Sequence, residues 1–565
     1  MSVEARVAQV NKLLWLLAGV ALYLSFGYTE MQGSDLWWHL AAGREIVQSG
    51  TLWLHDRWSF TATGTPWMNH EWLTDILYYC WISLAGLNSL VYWKWLVVIS
   101  TYTVLQIALT RNTQQPAAAL FCAGLAAAVA APFIDVRPHL YSLLGFSLLI
   151  FMLLNRTPST WKLALLFVVW VNLHGGFIFG LMGLAILVFP WRDLTVSAFT
   201  RPAWVVCVCT LACLANPDGI NAFVLPLTYA LDSSSPYRQL AEWLPPFRSG
   251  GIQSPLFVWL AVSAPVVALA YALPGVRRAT GIPWEGLALC ALTLLMALTS
   301  RRFITLFATS WAVMSAPLLG QLCQKLKVDR ASLAVGVLVL AYAIYRLLPY
   351  PLSSGAAYHY LTAEYTYPID MLDYIEAHDI RGNVFALYNW GGYIHWRTDG
   401  KLKVFIDGRA NTVYGNEPYH QYVAVIRGVP GWLALVESTG ADYFLWPYHS
   451  RGMEKFQLMM ASGRWQLVYQ DSVSYLMARN AVQRPSGTRP PATSPYQLLS
   501  DAYLDALRGN AAGSAIQAER VLAQIPYQKG ACHLAAHAHR QLGDTAKAEA
   551  ILVQCRAHFP SKHIR

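Results

Sequence analysis

The sequence predicts a polytopic α-helical membrane domain followed by a water-exposed α/β domain and a short helical tail. Three observations carry that expectation. Only 13% of the 565 residues are charged and 55% are hydrophobic, at a mean hydropathy of +0.35, whereas a soluble domain carries about 25% charged residues. The apolar residues gather into runs long enough, or nearly so, to cross a bilayer. The charge is also uneven: residues 1–350 hold 21 of the 41 Lys+Arg and 14 of the 31 Asp+Glu, leaving 20 and 17 for residues 351–565. Intrinsic disorder and a purely soluble enzyme are excluded.

The apolar runs fall near 13–29, 89–110, 117–133, 138–155, 159–174, 176–191, 202–216, 255–273, 281–299, 303–323 and 331–349. Several are shorter than the ~20 residues an isolated span prefers, as happens in crowded bundles. The first follows a short basic head without a small-residue cleavage site, so it reads as an uncleaved span. A further run, 72–86, is ambiguous; as a helix on or dipping into the outer surface it leaves eleven crossings. Arg6, Lys12, Arg111, Arg156, Lys162, Arg192, Arg201, Arg277, Arg278, Lys325, Lys327 and Arg330 then face the cytosol, twelve against seven in the outer loops. That agrees with the positive-inside rule and puts the C-terminal part outside.

The membrane domain spans 1–350, with long outer loops at 30–88 and 217–254. The first loop carries Trp37, Trp38, Trp53, Trp58, Trp67 and Trp72 among polar residues, which suits interfacial amphipathic helices and an aromatic belt alike. Residues 351–480 alternate helical patterns with β-rich runs at Asn383–Leu387, Lys403–Ile406, Tyr443–Trp446, Trp465–Gln470 and Ser474–Ala478, the pattern of a small α/β domain. A Pro/Ser/Thr-rich linker, 481–495, leads to a tail, 496–565. There Ala502, Gly509 and Pro526 recur 34 residues later as Ala536, Gly543 and Pro560, the period of tetratricopeptide repeats. Two repeats are fewer than a free-standing solenoid needs, so the tail is expected to pack on its neighbour.

The net charge of +10 comes from basic residues spread singly or in pairs between apolar runs, which is loop charge and not a nucleic-acid surface. The nine cysteines show no zinc-ligand spacing. A helical hairpin would bring Cys532 and Cys555 together, and a disulfide there would fit an oxidising compartment. His533, His537 and His539 read as solvated repeat surface before metal ligands.

The segment richest in chemistry is Asp35-Leu-Trp-Trp-His39, followed by Ala42-Gly43-Arg44-Glu45-Ile46 and Ser49-Gly50, then Asp56-Arg57-Trp58-Ser59, Pro66-Trp67 and His70-Glu71-Trp72-Leu73. A carboxylate just after the first span, among aromatics at the lipid–water boundary, is partly desolvated; that raises its proton affinity and suits a general base. The structural alternative is a helix-capping or snorkelling acid.

This pattern resembles the first outer loop of GT-C-fold glycosyltransferases, especially the protein O-mannosyltransferase and aminoarabinose-transferase branch. The chain resembles more closely a group of bacterial multispanning proteins through Arg137-Pro138, Trp170-Val-Asn172-Leu-His174-Gly175-Gly176, Asn216-Pro217-Asp-Gly219, Glu242-Trp243-Leu-Pro-Pro246, Gly391-Gly392-Tyr393 and Phe405-Ile-Asp407-Gly408-Arg409. The likeness covers about 1–480. It implies transfer of a sugar or glycan from a polyprenyl-phosphate carrier to an acceptor hydroxyl on the outer face, with inversion. The acceptor would be a secreted or pilin-like protein, or a glycolipid, and the setting a bacterial inner membrane with the C-terminal domains in the periplasm. Asp35 matches the first-loop acid. Asp135 matches the second, where it positions the acceptor, tunes Asp35, or shares a divalent cation (Mg or Mn) with it; a local salt bridge with Arg137 is the structural alternative.

Arg137, His174, Arg301 and Arg302, with His139 nearby, fall at the outer face and are candidates to hold the departing phosphate. For Arg301 and Arg302 the alternative is snorkelling; for His174 it is a satisfied core histidine. His39, His70, Glu71, Glu242, Asp407 and Arg409 are candidate acceptor or substrate contacts. Loop packing competes for Glu242, and an internal ion pair bracing the domain competes for Asp407 and Arg409. The glycine pair at 391–392 lacks a dinucleotide or Walker pattern and reads as a turn. A non-enzymatic envelope scaffold recruiting partners through the repeat tail is the alternative function. A transporter is disfavoured because the acids cluster at one face.

Overall fold

The computed structural model describes residues 3–231, 241–249, 253–328, 332–362, 366–448, 452–482 and 494–558. Arg330, Pro560 and most of the 481–495 linker lie outside them. The chain divides into two compact units. The first comprises Met1–Thr29, His70–Thr74 and Val91–Leu348, and the second Glu30–Asn69, Asp75–Leu90 and Pro349–Arg565.

In the first unit each of the eleven apolar runs forms a helix. Gln9–Gly27, Leu87–Thr113, Pro116–Phe133, Val196–Ala215 and Arg301–Lys325 are long and apolar enough to cross a membrane. A sixth candidate is Pro255–Ala270 with Pro274–Thr280, bent by 90° where Pro274 cannot continue the hydrogen-bond ladder. His139–Leu153, Thr160–Leu173, Phe177–Val188, Trp284–Thr299 and Ser332–Leu347 are shorter apolar helices. The chain is thus a multi-pass membrane protein. Three of the short helices close on Trp170: a Cβ on Gly145 or on Gly180 would lie 2.6 Å from its ring, so the glycines make room for the indole.

The second unit contains the first-loop helix Asp35–Ser49, ended by Gly50 in the left-handed region (φ 69°), and a small antiparallel pair, Leu54–His55 with Pro66–Trp67. The ambiguous run forms helix Trp72–Ala85. From Asp75 onward it belongs to this unit.

Pro349–Arg565 carries both strands and helices. Its five-stranded sheet runs in the order Leu402–Val404, Gly382–Ala386, Tyr443–Pro447, Ser474–Arg479, Trp465–Gln470. The first three strands are parallel and the last two antiparallel to their neighbours. Val384, Phe385, Phe444, Leu445, Leu476 and Met477 form its buried centre. The first loop caps the Leu402–Val404 edge. Ser59 bridges Val404 in parallel, Val404 N–H donates to the Trp58 carbonyl at 2.9 Å, and Phe60 N–H donates to Val404 at 3.1 Å. Backbone groups that would otherwise form an open edge are thereby paired.

One sequence expectation is corrected. Gly391-Gly392-Tyr393 is not a turn but lies inside helix Tyr388–Thr398. The reason is close packing: a Cβ on Gly391 would sit 2.5 Å from Asp407 Cβ, and one on Gly392 would sit 2.9 Å from the Trp38 backbone nitrogen.

The tail forms four helices, Pro495–Leu507, Ala511–Gln524, Lys529–Gln541 and Thr545–His558. Gly509 and Gly543 turn between partners at φ 78° and 82°. Leu498, Ala518, Val521, Ala535, Ala548 and Leu552 fill their core. The last two helices carry the Cys532–Cys555 disulfide, with Cα atoms 6.3 Å apart.

Candidate functional site

The motif residues of the first unit converge on two adjoining polar clusters. In one, the Trp170-x-Asn172-x-His174-Gly-Gly run meets His70 and Glu71. Trp170 Nε1–H donates to Ser142 Oγ at 2.8 Å, so the Ser142 hydroxyl donates onward to His174 Nδ1 at 2.6 Å; Gly176 N–H donates to the same nitrogen at 3.0 Å. With two donors aimed at Nδ1, the proton of the neutral ring sits on Nε2. That edge faces Glu71 Oε1 at 3.7 Å, and His70 Nε2 lies 3.6 Å from the same oxygen. Gly175 N–H donates to it at 3.3 Å. His174 therefore presents a donor here and not a metal-binding lone pair.

The neighbouring motifs hold this cluster in place. Trp72 Nε1–H donates to Asn172 Oδ1 at 2.7 Å. The Asn216 amide donates to the His70 and Val171 carbonyls at 2.9 and 3.1 Å. His70 is taken out of water, and burial, reinforced by Arg302 against the opposing pull of Asp218, lowers it to about 4 from an ordinary 6.5.

The sign of the linkage follows. The folded state binds this proton later than the unfolded chain, so its contribution is complete above about pH 6.5 and falls as the pH drops towards 4. Melting temperature in detergent is expected to decline across that window, by the equivalent of roughly 3 kcal/mol at most. His70→Asn should flatten the decline, and an unchanged slope in that variant would assign it to other groups.

The second cluster is an arginine pair around one carboxylate. Arg137 Nη1 donates to Glu242 Oε2 at 2.8 Å, and Arg302 Nη1 lies 3.5 Å from Oε1. Burial pushes the Glu242 carboxyl up, but Arg137 and Arg302 more than offset it and hold it at about 2. Two half-buried guanidiniums thus flank the Glu242 carboxylate, and guanidinium is the group suited to an oxyanion. Arg302 also lies over the Trp243 ring at 4.8 Å. Ser300 Oγ donates to the Glu242 carbonyl at 3.0 Å, which ties the Glu-Trp motif to the Arg301–Arg302 turn. Arg301 differs from its neighbour: it is 1% exposed and donates to the Arg248 carbonyl.

Asp135 accepts from Val136 N–H at 2.7 Å. The preceding carbonyl, Ile134, accepts from Thr29 at 2.7 Å, and fully buried Lys94 donates to the Thr29 carbonyl at 2.5 Å. Lys94 was missed in the sequence, although a lone lysine within an apolar run is a signal for it. Ser142 had no such signal.

In the second unit Asp35 opens helix Asp35–Ser49. His39, one turn on, is buried. Its Nδ1 meets Asp75 Oδ1 at 2.5 Å, and Asn69 donates to Asp75 Oδ2 at 2.8 Å. Trp38 stacks on the His39 ring at 3.6 Å. His39 therefore clasps the two first-loop helices together. Asp407 and Arg409 form the internal ion pair that was the alternative to substrate contact. Arg409 is bidentate to Asp407 at 2.9 and 2.7 Å, meets Asp56 at 2.6 Å, and lies 4.0 Å over Trp58. All three charged side chains are fully enclosed. Burial opposes the Arg409 charge, but Asp407, Tyr414 and Asp56 outweigh it and keep the guanidinium protonated. Asp35 and Asp135 belong to different units. Among the described residues no three His, Cys, Asp or Glu side chains gather as a metal site.

No protein-family model and no curated protein sequence matches the chain. Its fold is similar to that of the Archaeoglobus fulgidus oligosaccharyltransferase in the apo form, with a TM-score of 0.50 and 13% identity over 84% of this chain and 75% of that one. The same enzyme tethered to an acceptor peptide gives 0.51 and 13% over 82% and 74%. ArnT from Cupriavidus metallidurans bound to undecaprenyl phosphate gives 0.41 and 14% over 86% and 100%.

Proposed function

We propose, from the likeness of its fold to the archaeal oligosaccharyltransferase, that the chain is a GT-C-type, polyprenyl-phosphate-dependent glycosyltransferase acting on the outer face of the membrane. The observation that carries the reading is the fold likeness over 84% of the chain, running through both units that hold the candidate site residues. One structure of the archaeal enzyme is a complex with an inhibitory peptide and a dolichol-phosphate, which supports a lipid-phosphate donor and a peptide acceptor for this chain.

In the proposed reaction an acceptor hydroxyl oxygen attacks the anomeric carbon from the side opposite the carrier phosphate. The new C–O bond forms as the C–O bond to phosphate breaks, and the electron pair leaves on the phosphate oxygen. Asp35 takes the hydroxyl proton. Arg137 and Arg302 stabilise the charge on the departing phosphate, while Glu242 keeps them in place and limits their mutual repulsion. Asp135 orients the acceptor.

The eleven helices are read as eleven crossings, with the α/β domain and a tetratricopeptide-like tail in the periplasm guiding a secreted protein or glycolipid acceptor. The Cys532–Cys555 disulfide supports that oxidising side.

The assay is transfer of labelled sugar from a polyprenyl-phosphate-linked donor in membrane vesicles. Arg302→Met is expected to lower kcat by about 10²–10³-fold, the usual effect of removing one group that stabilises developing charge. Retained kcat in a folded Arg302→Met protein would remove the arginine pair from the reaction.

A further inference from the structure

The two outer-domain motifs leave a question that substrate binding does not answer: why glycine stands at 392 and 408. Neither residue has a positive φ, so backbone conformation does not require it. Space does. A Cβ on Gly408 would lie 2.9 Å from Trp38 Cδ1, 3.0 Å from Trp38 Nε1 and 3.3 Å from Asp35 Oδ1. A Cβ on Gly392 would lie 2.9 Å from Trp38 N and 3.3 Å from Trp38 Cα. Both glycines therefore press on the first turn of the helix that Asp35 opens.

Gly408 is itself held firmly. Its neighbours Asp407 and Arg409 form the enclosed ion pair, and Arg409 also grips Asp56 and lies over Trp58 at 4.0 Å and Trp67 at 5.0 Å. Those three partners belong to the same first loop as Asp35. The loop is thus fixed at its start by the two glycines, in its middle by Ser59 on the sheet edge, and at Asp56 and Trp67 by Arg409.

We propose that Gly392 and Gly408 are positioning residues: the outer α/β domain serves as the socket that sets the Asp35 carboxylate, and its two motifs act on the reaction through that carboxylate and not by touching substrate. This rests on the reading of Asp35 as the base. The physical basis is that a rigid second element fixes a reacting group within a fraction of an ångström, and displacement by a methyl group is enough to lose productive geometry.

The test uses full-length protein with Gly408→Ala, Trp38→Leu, the double variant, and Asp35→Asn. Gly408→Ala is expected to lower kcat by about 10–100-fold, with KM for the donor changed less than about threefold. The acidic limb of the kcat–pH profile should shift, because the methyl group alters the surroundings of Asp35 Oδ1. Trp38→Leu removes the indole atoms the methyl would strike. The double variant should therefore recover to within about threefold of Trp38→Leu alone, a coupling that independent sites do not show. Wild-type kcat and pH profile in Gly408→Ala, or additive effects in the double variant, would overturn the proposal. If Gly408→Ala fails to fold, the same coupling is read in melting temperature, and no recovery in the double variant would overturn it equally. Activity retained in Asp35→Asn would instead remove the base itself, so the two failures are separable.

Discussion

Replacing Asp35 with Asn is expected to abolish glycosyl transfer while leaving the protein folded. The substitution keeps the size and shape of the side chain but removes its ability to accept a proton, and general-base catalysis contributes typically 10²–10⁴-fold. The structural cost should be small. Asp35 is the acidic residue in the first turn of helix Asp35–Ser49, and a charge there is worth about 0.3–1 kcal/mol against the helix dipole. The measurement pairs labelled-sugar transfer in vesicles with melting temperature in detergent. A folded Asp35→Asn protein with full activity would remove the mechanism. The same variant separates the enzyme from the scaffold alternative, in which neutralising Asp35 and Asp135 leaves the phenotype intact while deleting 496–565 destroys it.

The second large effect is on stability. Arg409→Met is expected to destabilise the protein by about 3–5 kcal/mol, the usual cost of removing one partner from a buried charged group. The reason is the imbalance left behind: Asp407 and Asp56 are both fully enclosed and both depend on the one guanidinium. Arg409→Lys should rescue only in part. An ammonium cannot reproduce the fork that places Nε at 2.9 Å and Nη2 at 2.7 Å from the two Asp407 oxygens while lying flat over Trp58. Removing a carboxylate together with the arginine tests the cause directly. Arg409→Met with Asp407→Asn should lose less than the sum of the single changes. Urea or thermal unfolding of the full chain reads both, and a loss below about 1 kcal/mol in Arg409→Met would show that the pair is not what holds the loop to the domain.

Much of the architecture was legible because it depends on local pattern. Helices on the eleven apolar runs follow from run length, and five of them, or six with the bent pair, are long and apolar enough to cross a membrane, where an apolar stretch satisfies its backbone only within itself. The five strands of the large sheet fall within one or two residues of the β-rich runs, and a helical hairpin joins Cys532 to Cys555. Candidate residues could be named by type and place in the chain: an acid after the first span, arginines at loop ends, and histidines beside glycines.

What each residue does was decided by neighbours far away in sequence. Arg137 stands two residues from Asp135 in sequence, and its guanidinium also reaches Glu242, more than a hundred residues later. Gly391 and Gly392 resemble a turn in sequence because local propensity disfavours glycine within helices. Only the facing Asp407 and Trp38 show why a helix carries them. His39, Asp407 and Arg409 looked available for substrate and are instead enclosed with carboxylates from other segments. The sequence by itself determined a multi-pass helical membrane domain followed by a segment of alternating strands and helices, because hydropathy and periodicity are properties of a segment. Only the tertiary structure decided which charges pair with one another inside the fold, because charge pairing in a buried site is a property of the partners that folding brings together.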